Sequence, residues 1–371
     1  MFKIPTKTGY ILDTITKNGY EAYIVGGCVR DILLNKTPHD FDVTTSATPD
    51  EIISVFPKTV PTGIKHGTVT VIVEGEPTEV TTFRCDGDYL DARHPENVRF
   101  VRNLKDDLSR RDFTVNAMAY NPKIGLCDLF DGQNDLKHKV LRAVGDPEKR
   151  FKEDALRILR LFRFAATLNF TIEENTFNAA INCAPLISKV STERIMNELK
   201  AALKGESFKT IKPLIECGGL SFLDLDTCPD FEELYRHRDN SLLCLYLLFD
   251  GNISNDLKLS NAEKNYISGM NKLKALKKPE SKADIKRCLS LTNQNITKGF
   301  LDLCGVSDDL LFEIIENNEP YLIGHLKIKG NDLLKMGYSG NEVGEILKRL
   351  QDEVIENPTS NTKARLLRLI Q

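Results

Sequence analysis

The segment Val25-Gly26-Gly27-Cys28-Val29-Arg30-Asp31-Ile32-Leu33-Leu34, followed by Pro38-His39-Asp40-Phe41-Asp42-Val43, decides how this chain is read. Its first part has the pattern of a strand, a Gly-Gly turn and a helix. Such a turn frees backbone N–H groups and aims a helix N-terminus, an arrangement that suits phosphate. Arg30, in the first helical turn, adds a cation. Asp40 and Asp42 flank Phe41 on a predicted strand over Asp40–Thr44. Period-two alternation sends both carboxylates to one side, about 7 Å apart along the strand, with Phe41 and Val43 toward the core. Two acidic groups side by side repel one another, so a cation is expected between them. Two divalent metals roughly 3.5–4 Å apart would meet that need and make a phosphoryl- or nucleotidyl-transfer site. Gly-Gly alone is often only a turn, and Asp-x-Asp alone is often a solvated edge. The order Gly-Gly, Arg, helix, then Asp-x-Asp on the next strand is far more specific. Gly-x-Gly-x-x-Gly is absent, so the dinucleotide-binding alternative fails.

Outward from that segment, short β-branched runs recur between Tyr23 and Val144. Ala22–Val25, Gly67–Val73 and Glu79–Phe83 are predicted strands, with helical patterns near residues 6–18, 29–34 and 49–55. After Asp146-Pro147 the strand signal fades. Residues 148–169 carry one long amphipathic helical pattern, and others follow near 173–182, 191–203, 208–216, 230–250, 260–275, 281–290, 295–303 and 340–356. Lys272–Lys282, rich in Lys and broken by Pro279, is the linker candidate. The expected architecture is an α/β head, a mixed sheet with helices, followed by an elongated all-α remainder.

Composition narrows the function classes. The 371 residues include 41% hydrophobic and 28% charged side chains, an ordinary globular balance. Fifty Lys+Arg against 53 Asp+Glu leave a formal charge of −3, which excludes a histone-like protein but not a local basic groove. The longest apolar run, Leu242–Phe249, is far short of the ~20 residues of a membrane-spanning helix. Residues 1–20 lack an apolar signal core, so a cytoplasmic location with no membrane partner is expected. Nine cysteines, none in a Cys-x-x-Cys pair, suggest reduced and mostly buried thiols rather than a disulfide framework or zinc site.

Two further segments carry charge in places that need explaining. In Asp107-Leu108-Ser109-Arg110-Arg111-Asp112-Phe113-Thr114-Val115-Asn116-Ala117-Met118-Ala119-Tyr120, a helix beginning at Arg111 and Asp112 would turn Phe113, Ala117 and Tyr120 inward. A buried Arg needs an anion to offset its lost hydration; alone, Arg111 and Asp112 could equally be a surface pair. On the predicted helix from Lys152 to Phe164, Glu153, Asp154, Arg157, Arg160 and Arg163 share one half. That half is either a solvated face with Glu153–Arg157 support or a reading head. Asp154 and Arg157, one turn apart, set a fixed acceptor beside a donor fork. Cytosine and adenine both show an amino donor beside a ring-nitrogen acceptor, whereas uracil and guanine show a carbonyl beside a ring N–H. An Asp–Arg pair therefore accepts C and A and rejects U and G, by ~1–3 kcal/mol per bidentate contact.

Gly26-Gly27 with Arg30-Asp31 and Asp40-x-Asp42 resembles the polymerase-β-like nucleotidyltransferases. More narrowly, the chain resembles the bacterial class II tRNA nucleotidyltransferases (CCA-adding enzymes) and their poly(A) polymerase relatives. The resemblance implies Gly27 and Arg30 on the incoming triphosphate and Asp40 and Asp42 as catalytic residues on Mg2+. Glu79 would be either a third carboxylate or an edge-strand charge. Arg-Arg-Asp-Phe-Thr-x-Asn-Ala matches the family residue for residue, implying Arg111 on the triphosphate and Asp112 and Asn116 near the sugar and metal. Glu-Asp-x-x-Arg matches the family's nucleotide template, implying Asp154 and Arg157 on the base, with Arg160 and Arg163 on phosphate or the base's second side. The stretch Arg84–Lys105, with Tyr89, Arg93, His94, Arg99 and Arg102, corresponds to the element that switches C to A addition, so a CC-only activity is disfavoured. Ser191–Leu199 is similar to the family's neck motif, with Glu193 and Arg194 buttressing the template helix.

Ile328–Leu334 and Gly337–Gly344, glycine turns entering helices, resemble the C-terminal domain of the bacterial CCA-adding enzymes, without its usual Pro-rich turn. The implied division is a nucleotidyltransferase head at 1–139, a neck at 140–200, a helical body at 201–285 and a tRNA-binding tail at 286–371. The implied activity is template-independent addition of C, C and A to tRNA from CTP and ATP, by a two-metal mechanism, with no obligate protein partner evident. An A-adding enzyme or poly(A) polymerase, and a catalytically silent RNA-binding protein on the same scaffold, are the alternatives.

Overall fold

In the computed structural model, which describes residues 3–86, 98–225, 227–252 and 257–370, the chain divides into two units. One comprises Met1–Asp239 with Asp256–Lys258, the other Asn240–Asn255 with Leu259–Gln371.

The first unit opens with α1 (Thr6–Lys17), β1 (Ala22–Val25), α2 (Gly27–Leu33), β2 (Val43–Thr45) and α3 (Pro49–Val55). Next come β3 (Thr59–Gly63), β4 (Thr68–Val73), β5 (Glu76–Thr82), β6 (Arg84–Asp86), β7 (Val98–Phe100), α4 (Leu104–Ser109), β8 (Met118–Asn121) and β9 (Gly125–Asp128). Seven strands form one mixed sheet in the order β3-β4-β5-β2-β1-β8-β9, in which β2 and β5 run parallel and the other neighbours antiparallel. All four residues of β1 are buried, so the strand carrying the Gly-Gly turn is covered on both faces. One face packs Tyr23 and Val25 with Phe83, Leu104, Leu108 and Ala119. Local signals place the helices: Thr48 and Glu51 form a capping box ahead of α3, with Pro49 in its first turn.

Three expectations are corrected here. The predicted strand Asp40–Thr44 is β2, Val43–Thr45, and the two aspartates lie just before it. The Val25 N–H still donates to the Asp42 carbonyl at 3.1 Å, so the ladder reaches Asp42 without making it strand. No helix follows Arg111: the chain forms a 3-10 turn at Thr114–Asn116 and then β8, paired to both β1 and β9. Phe113 and Ala117 are buried as expected, whereas Tyr120 is half-buried. The single helix over 148–169 is two, α6 (Pro147–Glu153) and α7 (Leu156–Leu168), after α5 (Gly132–His138) and β10 (Val140–Leu141). Asp154 between them is extended, at φ −141° and ψ 105°.

The rest of this unit is helical apart from β11 (Thr171–Ile172): α8 (Glu174–Cys183), α9 (Thr192–Ala202), α10 (Lys212–Glu216) and α11 (Phe231–Arg236). The second unit holds α12 (Ser241–Leu248), α13 (Asn261–Lys274), α14 (Lys282–Leu291), α15 (Gln294–Leu303), α16 (Asp309–Glu316), α17 (Gly330–Lys335), α18 (Asn341–Glu356) and α19 (Lys363–Arg368). The pattern at 230–250 is therefore two helices, with His237 between them held to Glu233 at 3.0 Å. Lys272 and Lys274 lie in the last turn of α13, so the linker candidate shrinks to a short connection inside this unit. Ile285, Leu289, Leu301, Leu311 and Ile314 form one core of the second unit, and Leu326, Ile328, Leu333, Leu350, Val354, Leu366 and Ile370 another. Among the described residues no helix is long and apolar enough to cross a membrane. All nine cysteines are free; Cys28, Cys183, Cys244 and Cys288 are buried, while Cys217 and Cys228 are exposed.

Candidate active site

The site grows from the end of β1. Gly26 takes φ 80° and ψ −130°, a conformation side chains resist, and a Cβ there would stand 3.0 Å from Arg111 Nη1. The positive φ is what demands glycine, and the turn sets Gly26 against the Arg111 guanidinium with Arg30, on α2, close to Gly27. Asp40 and Asp42, exposed just ahead of β2, lie next to that turn, with Asp42 opposite Val25. The parallel pairing of Val43 with Val80 sets Glu79, one position earlier on β5, level with Asp42. The Asp42 carboxyl is raised above its ordinary value because neighbouring protein displaces solvent, then because Asp40 and Glu79 crowd it with like charge; Arg111 opposes this.

Among the described residues no three His, Cys, Asp or Glu side chains gather closely enough to hold a metal by themselves. A hard divalent cation of the Mg2+ type does not require such a cage, since it commonly takes one or two carboxylates and completes its shell with substrate phosphate and water. Two oxygen-donor side chains with unrelieved negative charge fit that use.

The cationic side faces a different deficit. The Nη2 of Arg111 reaches Asp107 only at 3.4 Å, and its Nε is buried with no hydrogen-bond partner. A buried, unsatisfied guanidinium N–H is costly and invites an anion. Arg30, 9% exposed, donates from Nη1 to Asn116 Oδ1 at 2.7 Å and from Nε to Asp31 at 2.9 Å. Asn116 in turn donates to Asp112 Oδ1 at 3.1 Å, and Arg160 donates to Asp112 Oδ2 at 2.9 and 2.7 Å. Arg30, Asn116, Asp112 and Arg160 thus form one chain of hydrogen bonds from α2 to α7.

Burial would raise the Asp112 carboxyl, but the Arg160 charge and hydrogen bonds, with those of Asn116 and the Phe113 N–H, lower it to about 2. A folded-state value below the ordinary one gives stability that is present above about pH 4 and lost as pH falls toward 2. The shift corresponds to on the order of 2 kcal/mol. Urea unfolding at pH 7 and pH 3 should show the native protein losing more stability on acidification than Asp112→Asn; equal losses would contradict the assignment.

Asp154 and Arg157 depart from the single-helix picture. Asp154 closes α6, and its Oδ1 accepts the Leu156 N–H at 3.0 Å, capping α7, while Oδ2 accepts Arg194 at 3.1 Å. Arg157, 9% exposed, donates to Glu153 at 2.9 Å, to the Arg150 carbonyl at 3.3 Å and to the Arg110 carbonyl at 2.9 Å. Arg163 pairs with Glu198 on α9. The α9 pairings support the buttressing expected of Arg194.

Asp107, which sequence reasoning left without a role, joins the two halves. It is fully buried, accepts Arg110 at 2.7 Å and the Thr44 hydroxyl at 3.2 Å, and faces Arg111. Arg110 then carries the connection to Arg157 through its carbonyl. The spacing Asp107-x-x-Arg110-Arg111 on a capped helix is the signal that would have identified it. Tyr89, Arg93 and His94 lie outside the described residues. Arg102 is held by Glu51, at 3.0 Å, and by the Ser46 carbonyl, at 2.7 Å.

The chain is similar to known proteins over nearly its whole length. A family model described as "Poly A polymerase head domain" matches residues 22–142, and one described as "Probable RNA and SrmB- binding site of polymerase A" matches residues 169–226. The CCA-adding enzyme of Staphylococcus haemolyticus is 37% identical over 385 residues, covering 97% of this chain and 96% of that protein. That of Oceanobacillus iheyensis is 51% identical over 211 residues, covering 57% of this chain and 53% of that protein. Among solved structures, the Bacillus stearothermophilus CCA-adding enzyme in complex with CTP superposes with a TM-score of 0.81 at 29% identity, over 99% of this chain and 98% of that one. The Thermotoga maritima CCA-adding enzyme complexed with tRNA, at 23% identity and a TM-score of 0.72 over 99% of this chain and 96% of that one, shares the fold.

Proposed function

Because the chain belongs to the bacterial class II CCA-adding enzymes, of the poly(A) polymerase head family, we propose that its acidic pair, its unsatisfied arginine and its Asp154–Arg157 pair act together on one incoming nucleotide. The protein adds C, C and A to the 3′ end of tRNA from CTP and ATP, releasing pyrophosphate at each step. The observation that carries the proposal is the juxtaposition of opposite deficits just ahead of β2. Asp42 is crowded by Asp40 and Glu79, and faces Arg111, whose buried Nε has no partner. A metal-bound triphosphate satisfies both.

This family typically uses divalent metals, and Asp40 and Asp42 would hold Mg2+ here, in a two-metal arrangement, with Glu79 nearby. Bound there, Mg2+ would favour ionisation of the attacking hydroxyl and offset charge on the departing pyrophosphate. The tRNA 3′ oxygen attacks the α-phosphorus, its proton leaves to solvent, and the bond to the β-phosphate oxygen breaks. Arg111 and Arg30 hold the triphosphate beside Gly27 and stabilise the charge that develops on it. Asp112 and Asn116 keep Arg30 and Arg160 in place. Asp154 accepts the exocyclic amino group of C or A, and Arg157 donates to the neighbouring ring nitrogen. Residues 286–371 carry tRNA contacts in this reading, so binding should weaken steeply with salt.

Labelled tRNAs lacking the terminal triplet, ending in CC, or ending in CCA separate this from its rivals. CTP alone should extend the first by two residues, ATP alone should extend only the second, and both nucleotides should complete CCA and stop. Extension by ATP alone beyond one residue would indicate a poly(A) polymerase. Failure to use CTP would indicate an A-adding enzyme. No extension with added Mg2+ would indicate a silent RNA-binding protein.

A further inference from the structure

We infer that Phe164 is a positioning residue that sets three guanidinium groups, Arg30, Arg160 and Arg163, in register for nucleotide phosphate. The inference rests on the nucleotide-site reading above. Phe164 lies on α7, 6% exposed, with the Phe113 ring edge-on at 5.9 Å and 83°. The guanidinium carbons of Arg30, Arg160 and Arg163 stand over its ring at 5.2, 5.3 and 3.9 Å from the centroid. A buried aromatic normally needs only apolar neighbours, and a leucine would keep the position apolar. What leucine cannot supply is the negative face of a π system.

The arrangement has a chemical logic. Three cations collected near one anion site repel one another unless something holds them. Each already has an anionic partner: Asp31 for Arg30, Asp112 for Arg160 and Glu198 for Arg163. Each cation is already matched by one carboxylate, so further carboxylates would leave the cluster net negative and repel a triphosphate. An aromatic ring attracts guanidinium groups through its quadrupole while adding no formal charge. It also joins Arg30 on α2 to the two arginines of α7, so a helix beside the Gly-Gly turn and a helix beside Asp154 share one reference point. Because none of the three cations belongs to the base-reading pair of Asp154 and Arg157, loss of the ring should weaken CTP and ATP equally and leave rejection of UTP unchanged.

The test replaces Phe164 in the full-length enzyme with mono-, di- and trifluorinated phenylalanine. These keep the ring's shape and progressively weaken its negative face. Equilibrium binding of CTP and of ATP is measured with Mg2+, alongside the melting temperature. The expected result is a stepwise rise in Kd for both nucleotides, reaching roughly tenfold for the trifluorinated ring, with a small fall in melting temperature because the same contacts exist in the free protein. Phe164→Tyr should retain affinity and Phe164→Leu should lose it. A Kd that stays flat across the fluorinated series overturns the role of Phe164 even where Phe164→Leu is impaired by poor packing. Wild-type protein that binds neither CTP nor ATP overturns the nucleotide-site reading, and this inference with it.

Discussion

Replacing Asp40 or Asp42 by alanine or asparagine is expected to lower nucleotide incorporation by at least about a thousandfold, the several kcal/mol that metal-assisted charge stabilisation supplies. The same variants should bind tRNA as the parent does, because neither carboxylate attracts a phosphate backbone. Their melting temperatures should not fall. Both side chains are exposed, and Asp42 is crowded by Asp40 and Glu79, so removing one charge relieves repulsion in the free protein. Primer-extension gels, filter binding and thermal melts on the same preparations separate these outcomes. Activity within tenfold of the parent would remove the metal role from the pair. Loss of activity together with fold would show that the aspartates are structural.

Arg157→Ala should produce the second large effect, on base choice. The parent enzyme is expected to reject UTP and GTP because an acceptor at Asp154 and a donor at Arg157 meet like groups on those bases. One bidentate contact discriminates by ~1–3 kcal/mol, so the preference for CTP over UTP should shrink by roughly tenfold to a hundredfold. Beyond the Glu153 pairing legible in the sequence, Arg157 holds the carbonyls of Arg150 and Arg110, so the variant strands these acceptors and should melt earlier. Arg157→Lys, which keeps the charge without the fork, tests the distinction: it should recover part of the stability and little of the discrimination. Unchanged UTP rejection in both variants would exclude this residue as the base reader.

The Gly-Gly turn and the Asp-x-Asp pair were legible because each is a local demand. Gly26 needs a positive φ, and Asp40 and Asp42 are separated by a single residue beside a strand. The segment from Asp112 to Ala119 was not legible, because every residue in it is buried. Its Phe113, Ala117 and Tyr120 spacing imitates a helical face. What makes its end a strand is pairing with β1, about 95 positions earlier, alongside its hairpin neighbour β9. The break at Asp154 was equally hidden, since Lys-Glu-Asp-Ala-Leu-Arg contains only residues a helix accepts. The break is held by Arg194, 40 positions away, and by the Asp154 carboxylate turning back to cap α7. Arg157, Arg160 and Arg163 all lie on α7, and the Glu153 partner of Arg157 was legible from its spacing, but Asp112 and Glu198, which hold Arg160 and Arg163, come from other elements. The helices α16, α17 and α19, of 8, 6 and 6 residues, were missed because so few turns carry no clear period.

The most direct test of the joint action of the acidic pair and the Asp154 region is anomalous diffraction from crystals of the full-length protein grown with Mn2+ and CTP. The expected map has manganese against Asp40 and Asp42, the triphosphate reaching Arg111 Nε, and the cytosine edge against Asp154 and Arg157. Manganese bound elsewhere, or a cytosine whose pairing edge faces away from both residues, would contradict it.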